Sequence, residues 1–69
     1  MSAERRTGTV EEFDAFVGLG VVRADTGETF PFHCVSIADG SRDIAVGTRV
    51  EFSVKFHIAR DEAIGIEPS

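Results

Sequence analysis

Between Arg49 and Phe56 the chain reads RVEFSVKF, in which Val50, Phe52, Val54 and Phe56 alternate with Arg49, Glu51, Ser53 and Lys55. A repeat of two sends alternate side chains to opposite faces of an extended strand, one buried and one wet. Phe56 is therefore expected in the core with Val50, Phe52 and Val54. No stretch of the 69 residues sustains the apolar repeat of a helix. Four further segments read as strands: TGTVEEF from Thr7, LGVVRA from Leu19, TFPFHC from Thr29 and EAIGIE from Glu62. Phe30 and Phe32 share one face of the third, with Pro31 and His33 on the other. Ile64 and Ile66 point the same way in the last. Pro31 has no N–H to give a ladder, which predicts an edge strand or a bulge there.

Turn chemistry separates these segments. Asp25-Thr26-Gly27 reads as a three-residue hairpin loop, with a glycine free to take positive φ. ADGSRD and Gly47 mark other turns, and HCVSIADG leaves room for one short helical turn near residues 35–39. Five short strands with nothing to cover a flat sheet predict an all-β fold, a small five-stranded antiparallel closed barrel. A chain of 69 residues is one small domain, here residues 1–69, with 1–6 expected to form a flexible tail.

Composition narrows the function classes. The one cysteine excludes an intramolecular disulfide and a zinc site of cysteine pairs, and it suits a reducing compartment. MSAERRTG lacks the apolar centre of a secretory signal, and no apolar run approaches a membrane span. A soluble cytoplasmic protein with no membrane partner is expected. The net charge of −5 disfavours non-specific attraction to phosphate backbones, although a local patch can differ from the total. Arg5-Arg6 is the one basic cluster; Arg23, Arg42, Arg49, Lys55 and Arg60 are scattered.

Three constellations invite a chemical reading, and each has a plainer one. Gly18-x-Gly20 lacks the third glycine, following helix and βαβ unit of a dinucleotide fingerprint; glycines also let a coiled strand bend or approach a neighbour. His33 and Cys34 are neighbours whose side chains should leave a strand on opposite faces, a poor arrangement for a nucleophile and its base. The plainer reading is a surface histidine beside a small buried thiol, and His57 reads as an exposed loop histidine. The carboxylates show no shared apolar cleft; of Glu11 and Glu12, one should face the exterior beside strands two and three. No enzyme activity, metal, cofactor or small-molecule substrate is expected.

Longer motifs carry a resemblance. Gly8 to Val22 reads G-T-V-E-E-F-D-A-F-V-G-L-G-V-V, Phe30 to Cys34 reads F-P-F-H-C, and Ile44 to Phe52 reads I-A-V-G-T-R-V-E-F. These resemble the G-x-V-K-W-F-N-x-x-K-G-F-G-F-I, V-F-V-H-F and L-x-E-G-Q-x-V-x-F motifs of bacterial cold-shock proteins, over nearly all of Gly8 to Ile66. The resemblance implies an OB-type barrel that binds single-stranded RNA or DNA by stacking bases on exposed aromatics, with lysines near the backbone. At those aromatic positions this chain has Glu12, Leu19, Val21, Pro31 and Cys34, and at two lysine positions it has Glu11 and Val17. Phe13 and His33 remain. Phe30, Phe32 and Phe52 fall on inward positions, and Phe16 is an added aromatic, expected exposed.

A base–aromatic stack is worth ~1–3 kcal/mol, so losing the five implies roughly 5 kcal/mol. Against the ~8 kcal/mol of a micromolar complex, such a loss leaves millimolar binding or weaker. The expected function is therefore weak single-stranded RNA or DNA binding on a degenerate face, with Phe13, Phe16, His33, Arg5, Arg6, Arg23 and His57 as candidate contacts. The alternative is a protein-interaction or self-associating module using an aliphatic patch of Leu19, Val21, Pro31 and Val17, since an apolar patch with a polar rim commonly marks a protein contact.

Overall fold

A computed structural model describes residues 5–38, 40, 43–56 and 61–69. The strands are β1 (Arg6–Asp14), β2 (Leu19–Ala24), β3 (Thr29–His33), β4 (Arg49–Phe56) and β5 (Asp61–Pro68). They form one antiparallel sheet in the order β3-β2-β1-β4-β5. After β3 the chain takes a single 3₁₀ turn, Cys34–Ser36, slightly before the expected helical turn. Ile37 then forms a parallel bridge to Ile66 of β5, and the Ala38 N–H donates to the Ile66 carbonyl at 2.8 Å. That bridge brings the two ends of the sheet together, giving the small barrel that the strand count implied. Among the described residues no helix is long and apolar enough to cross a membrane.

The interior is built from the inward parity of every strand. Val10, Val22, Phe30, Phe32, Val50, Phe52, Ala63 and Ile66 are buried there, with Ile37 and Ile44 from the connections. The Phe30 and Phe52 rings meet at 5.8 Å and 56°, a tilted geometry favoured by the ring quadrupole. Phe32 lies against Gly20, where a Cβ would stand 2.5 Å from the ring Cζ and 2.7 Å from the Glu12 carbonyl oxygen. The second glycine of Gly18-x-Gly20 thus makes room for a ring.

Two bulges break the simple alternation. In β1 the register to β2 shifts between Val10 and Glu12. In β5 the four residues Ile64 to Glu67 span what three cover in β4, Glu51 to Ser53. Gly65, at φ 59°, supplies the left-handed residue in this second bulge. The extra residue puts Ala63 and Ile66 in the core and leaves Ile64 half-buried, so Ile64 and Ile66 do not share a face as expected.

Phe56 is also a correction: it is 76% exposed. β1 pairs with β4 from Thr9↔Arg49 to Arg6↔Phe52. Beyond Phe52, β4 pairs with β5 and runs past the barrel body, so Val54 is half-buried and Phe56 has no core beneath it. Residues 1–6 are not a tail throughout either. Arg6 begins β1, and the Arg5 guanidinium donates to the Ser53 hydroxyl at 3.2 Å and the Gly65 carbonyl at 3.0 Å, covering the buried Ser53 at the bulge.

Two predictions follow from this core and its polar edge. Phe52→Ala should cost about 3–5 kcal/mol, the range for a large buried aromatic, read as a lowered denaturation midpoint. At the edge, Arg49 donates to both Asp25 oxygens at 2.7 and 2.9 Å, and the Thr7 hydroxyl donates at 2.7 Å. The Arg49 hydrogen bonds first, then Thr7, hold the Asp25 carboxyl well below the usual carboxylate range. A depressed native pKa gives stability that is present above the unfolded value, about 3.9, and is lost as pH falls below it. Asp25→Asn should lower stability at neutral pH and flatten the acid limb of a stability-against-pH curve.

Candidate functional site

The outward parity of β1, β2 and β3 forms one continuous face. Register places Glu12 opposite Val21, Val21 opposite Pro31, Asp14 opposite Leu19, and Leu19 opposite His33. Leu19 is 53% exposed, while Val21 and Pro31 are half-buried by their cross-strand neighbours. Two adjoining grooves of about 480 and 400 Å³ share Leu19, Pro31 and Phe32 as lining. The larger continues to His33, Val35 and Glu62; the smaller to Glu12, Phe13, Asp14 and Val21.

Phe13 takes the inward parity, opposite Gly20. Its ring lies parallel to Phe32, with centroids at 5.8 Å and planes 4° apart. The bare Cα of Gly20 lets the rings from β1 and β3 meet across β2. Phe13 is half-buried and packed on the core. It lines the floor of the smaller groove and does not project from the face. Phe16, on the β1–β2 turn, is 98% exposed, and Val17 beside it is also exposed.

His33 has a local task. β3 ends at this residue, and the Val35 N–H donates to its Nδ1 at 3.4 Å, capping the 3₁₀ turn. Because the chain leaves extended geometry there, the strand rule no longer separates His33 from Cys34. Contrary to expectation, Nδ1 and Sγ lie 3.8 Å apart. Cys34 is half-buried. His57 lies outside the described residues. Among the described residues, no three His, Cys, Asp or Glu side chains gather where a metal ion would sit.

The arginines expected to meet phosphate are already engaged. Arg5 pairs with Glu67 at 3.1 Å and Arg6 with Glu28 at 3.3 Å, the latter also lying 5.3 Å over the Phe30 ring. Arg23 donates through Nε to Glu11 at 3.1 Å and through Nη1 to the Gly27 carbonyl at 3.4 Å. Exposed pairs of this kind are worth about 0–1 kcal/mol, so a ligand can displace them; their consequence is a face with little free positive charge. The β1 bulge turns both Glu11 and Glu12 outward, where one was expected: Glu11 meets Arg23, and Glu12 stands opposite Val21.

Sequence reasoning did not single out Asp14, Val35 or Glu62 as lining residues. Val35, 64% exposed, belongs to a 3₁₀ turn whose apolar residue carries no periodic signal. Glu62 reaches the larger groove from β5 through barrel closure, a juxtaposition with no local signature.

This geometry has a counterpart among solved structures. Drosophila Unr, in the segment designated CSD456, superposes with a TM-score of 0.81 at 29% sequence identity, covering 99% of this chain. The fold is that of a cold-shock domain. The chain spans 28% of the length of that Unr structure. No protein-family model matches the chain, and no curated protein does. The cold-shock domain is a nucleic-acid-binding fold, and the outer face of β1–β3 is open here in this OB-type barrel.

Proposed function

We propose that this cold-shock-type domain binds single-stranded RNA or DNA weakly on the outer face of β1–β3. The observation that carries the reading is the pair of open grooves over Phe13 and Phe32, walled by Leu19, Val21 and Pro31, on a fold that matches Unr CSD456. Bases dock there by apolar contact with the walls and the Phe13 edge. His33 stands exposed at one end of the larger groove.

The charge pattern predicts an unusual salt response. Among the described residues no lysine or arginine lines either groove, and Glu12, Asp14 and Glu62 do. For single strands the slope of log K against log salt is about −0.7 per neutralised phosphate. An NMR titration with a short single-stranded oligonucleotide should therefore shift Phe13, Leu19 and His33 signals saturably, with a dissociation constant in the high micromolar to millimolar range. The slope should be shallower than about −1. A duplicate titration at higher salt that abolishes binding would point to phosphate contacts elsewhere, and no shift at millimolar oligonucleotide would refute the reading.

The exposed Leu19 and Val35 favour a second reading, a protein contact. If the patch joins two copies of the chain, sedimentation velocity will show a concentration-dependent dimer that Leu19→Glu dissolves. A monomer throughout the accessible range removes self-association from consideration.

A further inference from the structure

Nucleic-acid binding on the β1–β3 face leaves one physical question: which ring offers a base a free surface. Phe30, Phe32 and Phe52 are buried, and Phe13 stacks on Phe32. Phe16 is 98% exposed, so its ring contributes almost nothing to the core.

The turn that carries it is held firmly. Asp14 Oδ1 accepts from the Phe16 N–H at 2.9 Å and the Val17 N–H at 3.4 Å. The Gly18 N–H donates to the Asp14 carbonyl at 2.8 Å, and the Gly18 carbonyl accepts from the Cys34 N–H at 2.8 Å. These bonds tie the turn to itself and to the end of β3. A ring presented on such a turn loses less conformational freedom on binding than one on a loose loop. The turn also adjoins the grooves, since Asp14 and Leu19, the residues flanking it, pair across its base and both line the smaller groove.

We propose that Phe16 is the stacking platform of this domain, receiving one unpaired nucleobase at the tip of the β1–β2 turn as the strand leaves the groove beside Leu19. The inference rests on the nucleic-acid reading above. A base needs only one open ring face, and every base has a complementary one. A protein hot spot instead needs surrounding contacts that exclude water, and Phe16 stands clear of its neighbours. Because every described arginine lies against a carboxylate, affinity must come from ring stacking and apolar contact.

The chain has no tryptophan, so Phe16→Trp creates a single fluorescent reporter at the site. Its emission should be quenched saturably by oligothymidylate, with affinity at least equal to that of the parent followed by NMR. Phe16→Leu and Phe16→Ala should each weaken binding by about tenfold, as loss of one base–ring stack would, while melting as the parent does. Phe56→Ala, removing the other exposed phenylalanine, should leave affinity unchanged.

Parent-like binding by Phe16→Leu would show that apolar bulk suffices and would overturn the stacking role, as would equal losses from Phe16→Ala and Phe56→Ala. If Phe16→Ala binds like the parent while Leu19 and His33 signals still shift, the platform is refuted and the nucleic-acid reading stands. If the parent itself shows no shift, both fall.

Discussion

The barrel is organised around a side chain that is absent. Phe13 from β1 and Phe32 from β3 reach each other across Gly20, and any larger residue there would collide with the Phe32 ring and the Glu12 carbonyl. The close approach lets three strands coil tightly enough for the Ile37–Ile66 bridge to bring the sheet ends together. It also directs aromatic surface inward. Phe30 and Phe52 continue the same interior, so four of the five phenylalanines in the sheet go to packing, Phe56 excepted.

The outer face follows from that division. Leu19, Val21 and Pro31 give it aliphatic relief, and the β1 bulge adds two carboxylates to its edge. Every described arginine lies against a carboxylate: Arg5 with Glu67, Arg6 with Glu28, Arg23 with Glu11 and Arg49 with Asp25. A surface of this kind attracts phosphate weakly and rings moderately. On the proposed nucleic-acid reading, steering by long-range charge is small and specificity comes from shape and stacking. The Unr match supplies the fold; the local side chains set the relief and charge of its outer face.

Much of this was legible in the residue order. The bounds of β2 and β4 coincide with LGVVRA and RVEFSVKF, because a period of two and flanking turn residues are local properties. The inward role of Phe30, Phe32 and Phe52 follows from the same alternation. Phe56 shows where that reasoning stops. Its parity is correct for a strand with a core beneath it, but β1 reaches only as far as Phe52, and the extent of a neighbouring strand is not written in the strand itself. The exposure of Phe16 was expected; Asp14 holds its turn through local hydrogen bonds, and the bond from Cys34 depends on the end of β3 being brought to it.

The amino-acid sequence by itself determined the all-β class, the five strands and the aliphatic residues Leu19, Val21 and Pro31 on the outer parity of β2 and β3, since each depends on residue identity and short-range spacing. Tertiary structure decided the bulges at Glu11 and Gly65, the stacking of Phe13 on Phe32, the pairing of Arg5 and Arg6, and the contribution of Glu62 to the groove. Those features arise when strands distant in sequence share one small interior. Register and closure select which side chains meet, and that selection minimises buried polar groups and voids over the whole barrel.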